Sequence, residues 1–143
     1  MTRADIQAKV DQYVAAWERH DIDGLLECYA PDADIASPMF RKLHGLDAIE
    51  AQFQDLFRTF GKLTFDVRDV VIDAAPARAA LYVASTSTHS GSIFGFPPTG
   101  QDIATNVLFI LHFDESGKIV SDRRLYDFTA LLIKLGVLKA KTA

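Results

Sequence analysis

The stretch at residues 113–138, FDESGKIVSDRRLYDFTALLIKLGVL, decides the fold of this chain. Its DESGK segment is typical of a hairpin turn, and the apolar residues on either side predict strands at 102–113 and 119–126. After Asp127 the apolar spacing changes to that of a helix, and Asp127 itself fits the N-cap position. We therefore expect the chain to end in a β-hairpin followed by a short helix.

Two more long strands are predicted upstream of this hairpin, at 63–73 and 78–90. The first loses its alternation at residues 70–72, which indicates a β-bulge or a strand crowded on both faces. The second is apolar at its start, AALYVA, and polar at its end, STSTHS. The second half of the chain thus predicts a long-stranded antiparallel sheet.

The first half of the chain is predicted to be mainly helical. Apolar residues at helical spacing indicate helices at 4–19, 22–30 and 47–60, and a short strand at 34–40 contains Pro38, which is typical of an edge or a bulge. Helices followed by long strands are an α+β arrangement. Because long strands twist and curl, the helices can cover the concave face and leave a cone with an open end.

Five residues are expected to set the helix boundaries. Asp21 would cap the second helix and Pro31 would end it. Asp47 and Glu50 resemble a capping box for the third helix, which Gly61 would close.

Length, composition and charge restrict the class of protein. The 143 residues predict one domain, 1–143, with 49% hydrophobic and 24% charged residues, which is ordinary globular composition. A net charge of −4 argues against a nucleic-acid surface, which needs clustered Lys and Arg. Because no apolar run reaches membrane length and MTRADIQAKV lacks an apolar segment, we expect a cytoplasmic protein without membrane contact.

The sequence predicts neither a disulfide nor a metal site. Cys28 is the single cysteine, and its apolar neighbours predict a small buried residue. The four histidines lack the H-x-H and H-E-x-x-H spacings of metal ligands, so we expect no metal.

The segment at 88–100, THSGSIFGFPPTG, is longer and more aromatic than a hairpin connection needs. Such loops either border a binding site or complete the core. Its glycines permit sharp turns and its two prolines stiffen the exit. Because Phe94 and Phe96 stand beside the polar end of a strand, we expect them at the rim of a pocket for an apolar ligand.

Four stretches together resemble one protein family. They are YVAAWERHDIDGLLECYAPDADIASP at 13–38, HGLDAIEAQFQDLF at 44–57, and the segments at 88–100 and 113–138. In order and motifs they resemble the SnoaL-like polyketide cyclases and the related Δ5-3-ketosteroid isomerases of the NTF2-like superfamily. The resemblance implies a cone in which a curved, mostly antiparallel sheet wraps around the N-terminal helices, with a short C-terminal helix.

The chain departs from the catalytic residues that this resemblance implies. Arg124 stands where the cyclases use an acidic residue, and a guanidinium cannot shuttle protons near neutral pH. Ser37 stands where the isomerases use an Asp base, and Phe109 where they use a protonated Asp. Tyr13 aligns with the Tyr of the isomerase oxyanion hole.

Strand parity places Asp122, Arg124 and Tyr126 on one face, which the resemblance puts inside the cone. Asp122 and Arg124 lie about 7 Å apart by backbone rise, so their side chains can pair. In one interpretation Arg124 stabilises an oxyanion or enolate while Asp122 moves a proton, and the pair sits at a solvent-filled mouth. In the other they form a structural ion pair at the barrel mouth or in a dimer interface.

His89 and Tyr13 are the other catalytic candidates. His89 shares a strand face with Ser85 and Ser87, at the polar end where a core would open into a pocket, and it can act as an acid or a base. Its alternative role is a hydrogen bond that fixes the following loop. Tyr13 is expected either to pack in the core or to donate a hydrogen bond to a substrate carbonyl.

The resemblance implies an enzyme that performs cofactor-free proton transfer, as an isomerase, cyclase or dehydratase, on a hydrophobic carbonyl-bearing small molecule. Tyr13 and Arg124 would polarise the oxygen, and Asp122 or His89 would relay the proton. Two alternatives stay open: water addition of the epoxide-hydrolase type, and non-catalytic binding of a hydrophobic ligand. The residues expected to contact the ligand are Trp17, Ser37, Phe53, Phe57, Phe94, Phe96, Phe109 and Tyr126.

A homodimer is expected from the strand at 102–113. Leu108 and Ile110 point opposite to Phe109 and Leu111, so both faces of this strand are apolar. One face covers the helices, and the other needs a partner, which we expect to be a second copy of the chain.

Overall fold

The computed structural model describes residues 1–141, which form a curved sheet of seven strands and four helices. This is the predicted α+β arrangement. Within these residues no helix is long and apolar enough to span a lipid bilayer. In chain order the elements are α1 (Arg3–Glu18), α2 (Ile22–Glu27), β1 (Tyr29–Ser37), β2 (Phe40–His44), α3 (Leu46–Thr59), β3 (Phe60–Gly61), β4 (Asp66–Ala74), β5 (Ala77–His89), β6 (Asp102–Phe113), β7 (Ile119–Leu125) and α4 (Phe128–Lys134).

The sheet has the strand order β2-β1-β7-β6-β5-β3, and β4 pairs with the other end of β5. Strands β1 and β7 are parallel, and the remaining pairs are antiparallel. Helix α1 packs against β4 and β5, and α3 packs against β1 and β2. The predicted sheet, mostly antiparallel and wrapped around the N-terminal helices, is confirmed.

Aromatic side chains fill the centre of the cone, between α1 and the inner face of the sheet. Trp17 stacks on Phe65 with ring centroids 4.7 Å apart, and it meets Phe53 and Phe109 edge-on at 5.2 and 5.9 Å. Such pairs add specific geometry to the burial of apolar area. The buried stripe of α1 has the predicted helical spacing and comprises Ile6, Val10, Tyr13, Ala16 and Trp17.

Cys28 is buried, as its apolar neighbours predicted. Its Sγ donates a hydrogen bond to the Gly24 carbonyl at 3.4 Å, and burial raises the pKa of the thiol to about 11. The thiol therefore stays protonated near neutral pH, and it is a packing residue rather than a nucleophile.

Pro31 does not end the second helix. Helix α2 stops at Glu27, Cys28 is its C-cap, and β1 begins at Tyr29, so Pro31 lies inside a strand. The pairing of β1 with β7 shifts register between Tyr29 and Asp34, and Pro31 falls in that interval. A proline is tolerated there because the interrupted ladder needs no hydrogen bond from its nitrogen.

Pro38 belongs to a turn and not to an edge strand. Ser37 of β1 pairs with Phe40 of β2, so Pro38 and Met39 form the two-residue connection of a hairpin. The strand predicted at 34–40 is therefore the tip of this hairpin, where proline needs no ladder partner.

The predicted capping box of the third helix is absent. Helix α3 follows Gly45, whose φ of 86° lies in the region that favours glycine, and no side chain of Asp47 or Glu50 caps its first turn. A capping box occurs instead in α1, where Thr2 and Asp5 satisfy each other's backbone N–H groups.

The chain forms a strand directly after α3, earlier than the strand predicted from residue 63. Gly61, expected to close the helix, belongs to β3, which pairs with the end of β5. The bulge of β4 is not at residues 70–72, where the sequence predicted a bulge or a crowded strand: the register shifts between Val67 and Asp69, with Arg68 as the extra residue, and residues 70–72 pair regularly with β5. Beyond the bulge the alternation resumes.

The outer face of the sheet carries adjacent apolar side chains. Tyr82 of β5 pairs with Leu108 of β6, which in turn pairs with Leu125 of β7. Tyr82 is 42% exposed, and Leu125 and Val71 are each 66% exposed. Because contiguous exposed apolar surface marks interaction sites, we propose that the expected homodimer forms through this face.

Replacing both Tyr82 and Leu125 with Glu should convert the dimer into a monomer and leave the fold intact, because both side chains are exposed. Analytical ultracentrifugation at micromolar concentration measures the outcome. The matched control carries the same added charge on the exposed side of α3, as Ala51→Glu with Gln54→Glu, and should stay dimeric. A monomeric wild-type protein would contradict the expectation.

Candidate active site

A cavity opens between the helices and the inner face of the sheet. Its internal volume is about 90 Å³, and the surrounding space that is free of protein atoms amounts to about 700 Å³ when the part open to solvent is counted. Arg124 is the one charged side chain that the described residues place in its wall. Apolar wall residues include Phe60, Phe65, Val83, Ile103, Phe109 and Leu131, and polar ones are Ser37, Gln52, Ser85, Ser87, Thr105 and Tyr126.

Asp122 and Arg124 form a buried ion pair on β7. Alternation along the strand turns both side chains inward, as parity predicted. Arg124 Nη2 donates to Asp122 Oδ2 at 3.0 Å, and Nε donates to Oδ1 at 3.3 Å, which gives a two-pronged contact. The expectation that the pair sits at a solvent-filled mouth is wrong, because Asp122 is fully buried and Arg124 is only 8% exposed.

Two tyrosines complete the coordination of Asp122. Tyr29 donates to Oδ2 at 2.5 Å and Tyr13 donates to the same oxygen at 3.1 Å. Burial, followed by the charge of Asp122, raises the pKa of both phenols far above their ordinary value. Both hydroxyls therefore stay protonated, and they act as fixed donors to the carboxylate.

The Arg124 guanidinium lies in an aromatic box. Its central carbon is 5.3 Å from the Trp17 ring centroid and 5.4 Å from those of Phe53 and Phe109. Burial is the largest single effect and lowers its pKa, but the charge of Asp122, the two tyrosines and the hydrogen bond to Asp122 together raise it, and the net direction is upward. Within residues 1–141, Nη1 has no hydrogen-bond partner, so this nitrogen is free to bind a ligand.

The structure brings five of the predicted site residues to the cavity wall. Ser37 Oγ and the Tyr126 hydroxyl lie 3.1 Å apart and form one polar edge of it. The five residues are Trp17, Ser37, Phe109, Arg124 and Tyr126.

Four other predicted residues stand behind the wall. Tyr13 and Asp122 contact Arg124 or each other but do not line the cavity. Phe53 is fully buried beside Trp17, and Phe57 packs at the edge of the core. These residues support the wall and do not form its surface.

His89 does not reach the cavity wall. It is fully buried at the end of β5, where Nδ1 accepts a hydrogen bond from the Thr99 backbone N–H at 3.1 Å and lies 2.9 Å from the Thr99 hydroxyl. Its backbone also bonds Gln101 and Gly100. These contacts match the loop-fixing alternative for His89.

Phe94 and Phe96 are exposed by 55% and 41%, and neither lines the cavity. Their neighbour Ile93 is the buried residue of the loop, and it packs in a second apolar cluster with Phe60 and Leu131. The loop at 88–100 thus completes the core through one residue while presenting two aromatic rings to solvent. The sequence could not show which of these residues is buried, because the buried Ile93 and the exposed Phe94 and Phe96 lie within four residues of one another.

Tyr29 and four polar wall residues were not predicted from the sequence. Tyr29 falls within the helix predicted at 22–30, whereas it begins β1, the strand beside β7. Strand parity placed Ser85 and Ser87 on the same face of the strand as His89, but it did not identify them as residues of the cavity wall. No pattern marked the others, which are Gln52 and Thr105.

Asp127 has the structural role that its position predicted. Its Oδ1 accepts a hydrogen bond from the Ala130 N–H at 2.9 Å and caps α4. Within residues 1–141 no three His, Cys, Asp or Glu side chains cluster as metal ligands.

Comparisons with known proteins agree with this architecture. The family model described as SnoaL-like polyketide cyclase matches residues 7–135. None of the curated proteins matches the chain. Among solved structures it is similar to AclR from Streptomyces galilaeus, whose proposed activity is that of a hydroxylase. The identity is 27% and the TM-score 0.83, over 99% of this chain and 87% of AclR.

Two further structures share the fold. A proposed SnoaL-like polyketide cyclase from Jannaschia sp. CCS1 is 18% identical with a TM-score of 0.84, over 94% of each chain. IdmH from Streptomyces antibioticus, proposed to be a polyketide cyclase, is 24% identical with a TM-score of 0.73, over 92% of this chain and 98% of that one.

Arg124→Met should destabilise the protein by about 3–5 kcal/mol, because Asp122 would remain as a buried charge without its partner. The double variant Asp122→Asn with Arg124→Met should be more stable than Arg124→Met alone, because no charge then stays buried. Chemical denaturation of wild type and variants measures both free energies of unfolding.

The exposed pair of Arg78 and Asp73, 2.9 Å apart, provides the matched control. Arg78→Met should change the free energy of unfolding by about 0–1 kcal/mol, because solvent screens this pair. Equal losses from Arg78→Met and Arg124→Met would contradict a desolvated pair on β7.

Proposed function

Since the chain belongs to the SnoaL-like polyketide cyclase family, we propose that its cavity binds a hydrophobic carbonyl compound and promotes a proton transfer within it. Membership of the family supports a small-molecule enzyme in general. The finer proposal rests on one observation, a buried guanidinium with a free nitrogen in the wall of an otherwise largely apolar cavity. Isomerisation, cyclisation and dehydration share an enolate-like intermediate that such a group can stabilise.

In this proposal Arg124 polarises the substrate carbonyl. Nη1 would donate a hydrogen bond to the oxygen, and that bond would strengthen as negative charge develops there. Asp122 holds Nε and Nη2, so the guanidinium is oriented before the substrate binds. The surrounding aromatic rings keep the local dielectric low, which increases the electrostatic effect.

Tyr126 is the candidate proton donor. It lies in the cavity wall two residues from Arg124 on the same strand face. Burial raises the pKa of its phenol, against the lowering effects of the Ser37 hydrogen bond and the Arg124 charge. It therefore stays protonated at neutral pH, which suits an acid better than a base.

Asp122 and His89 have positioning roles in this proposal. The carboxylate of Asp122 is enclosed by Arg124 and two tyrosines, and the Nδ1 of His89 is engaged by Thr99. Among residues 1–141, no carboxylate therefore lines the cavity to remove a proton from a weak carbon acid. The substrate that suits this cavity best has a C–H group between two carbonyl groups, because such a carbon acid can give its proton to a solvent water at the open side of the cavity. Tyr126 would then donate a proton to the enolate, and solvent would restore the phenol.

Non-catalytic binding of a hydrophobic ligand is the second candidate function. The sealed position of Asp122 favours it, because a binding protein needs no proton acceptor at the cavity surface. Water addition of the epoxide-hydrolase type has less support, since it requires an accessible carboxylate beside the arginine. The proposal invokes no cofactor, and it includes a cytoplasmic homodimer that binds neither nucleic acid nor a membrane.

Hydrogen–deuterium exchange at the carbon between the ketone and ester carbonyl groups of ethyl benzoylacetate tests the proton transfer directly. Wild-type protein should accelerate the exchange seen by proton nuclear magnetic resonance. Arg124→Lys should reduce that rate by about 100-fold or more, because it keeps the charge that Asp122 needs but loses the free nitrogen. Binding is followed by the fluorescence of Trp17, the single tryptophan, which lies in the cavity wall.

Arg123→Lys is the matched control, because Arg123 is the exposed neighbour on the opposite face of β7. It should leave both exchange and binding unchanged. Saturable binding of ethyl benzoylacetate without any accelerated exchange would instead support the non-catalytic function, and the absence of both would refute the proposal.

A further inference from the structure

A line of aromatic rings leads from the cavity wall to the protein surface. Tyr126, in the wall, meets Phe128 of α4 edge-on, with ring centroids 6.3 Å apart and planes at 87°. Phe128 in turn meets Phe94 at 6.1 Å and 68°. Phe94 is 55% exposed, so the line begins inside the cavity and ends in solvent.

The turn that carries Phe94 is tightly defined. Ile93 and Phe96 exchange two backbone hydrogen bonds of 3.0 and 2.8 Å, and Phe94 and Gly95 form the connection with φ of 49° and 78°. Both φ values are positive, which favours Asn and Gly and disfavours an aromatic residue. The buried Ile93 anchors the turn from beneath.

Neither the turn nor the core explains a phenylalanine at position 94. The turn would form more easily with Asn, and the ring is too exposed to stabilise the core by burial. Its neighbours in space are continuous with the cavity, because Tyr126 lines the cavity and α4 contributes Leu131 to the same wall. A ligand that outgrows the cavity on this side would meet these rings next.

We propose that Tyr126, Phe128 and Phe94 form an outer subsite for the distal ring of an elongated, multi-ring substrate. The carbonyl end of that substrate would lie at Arg124, so this inference rests on the proposed function. The edge-to-face arrangement of the three residues leaves ring surface available for a further aromatic contact. The subsite thus favours a long substrate over a short one, whereas Arg124 favours a substrate that carries a carbonyl group.

A pair of aryl ketones that differ only in length tests the subsite. Acetophenone has one ring, and 4-acetyl-p-terphenyl has three rings in line with the same acetyl group. The wild type should bind the terphenyl ketone more tightly, measured by the quenching of Trp17 fluorescence. Phe94→Asn should weaken binding of the terphenyl ketone about threefold to tenfold and leave acetophenone unchanged, because one aromatic contact is lost.

Phe96→Ala is the matched control, since Phe96 lies in the same turn, is similarly exposed and is not part of the ring line. It should change neither affinity. Phe94→Asn should also melt no lower than wild type, because Asn suits the positive φ.

Two outcomes separate the subsite from the function on which it rests. Normal binding of acetophenone together with a Phe94→Asn effect that is absent, or equal for both ketones, would overturn the outer subsite alone. If the wild type binds neither ketone, the proposed function fails and the subsite fails with it.

Discussion

The buried pair of Asp122 and Arg124 is the interaction on which the rest of the structure depends. Removing two charges from water is costly, and the mutual attraction of the pair and its hydrogen bonds offset that cost. Tyr13 from α1 and Tyr29 from β1 supply the remaining donors to the carboxylate, so a helix and two strands must meet at one point. The pair therefore fixes β7 against its neighbours, and within residues 1–141 it leaves Nη1 of Arg124, a residue of the cavity wall, without a hydrogen-bond partner.

The Asp122 carboxylate is buried behind the cavity wall, whereas the Arg124 side chain lines the cavity. This difference determines which polar group a ligand can contact. A ligand meets aromatic and aliphatic surface with one strong hydrogen-bond donor, and it does not meet the negative charge behind that donor. Because the ion pair is neutral as a unit, a neutral carbonyl compound can enter without leaving a bare charge, and the guanidinium responds as negative charge develops. In the proposed function, an arginine at the position where the resemblance implies an acidic residue would make the cavity wall a hydrogen-bond donor to the substrate oxygen rather than a proton carrier.

The far end of the cavity is organised by packing rather than by charge. His89 holds the return of the loop at 88–100 through Thr99, and Ile93 inserts into the cluster formed with Phe60, Ile103, Leu131 and Leu135. Neither contact involves Arg124. The loop can therefore present an aromatic ring on the outside without disturbing the hydrogen bonds that orient the guanidinium.

Periodicity and turn residues determined much of this protein from the sequence alone. They located the long strands, the inward face of β7, the cap at Asp127 and the family, because side-chain direction alternates along a strand and caps act locally. The parallel pairing of β1 with β7, which brings Tyr29 to Asp122, was decided by tertiary structure, as was the burial of the ion pair. Parity states which way a side chain points, but it does not state which strand lies beside it or what covers it. For the same reason, the sequence could only predict that His89 and Phe94 lie near the pocket. The packing of the loop decided that His89 is buried against Thr99 and that Phe94 is exposed to solvent.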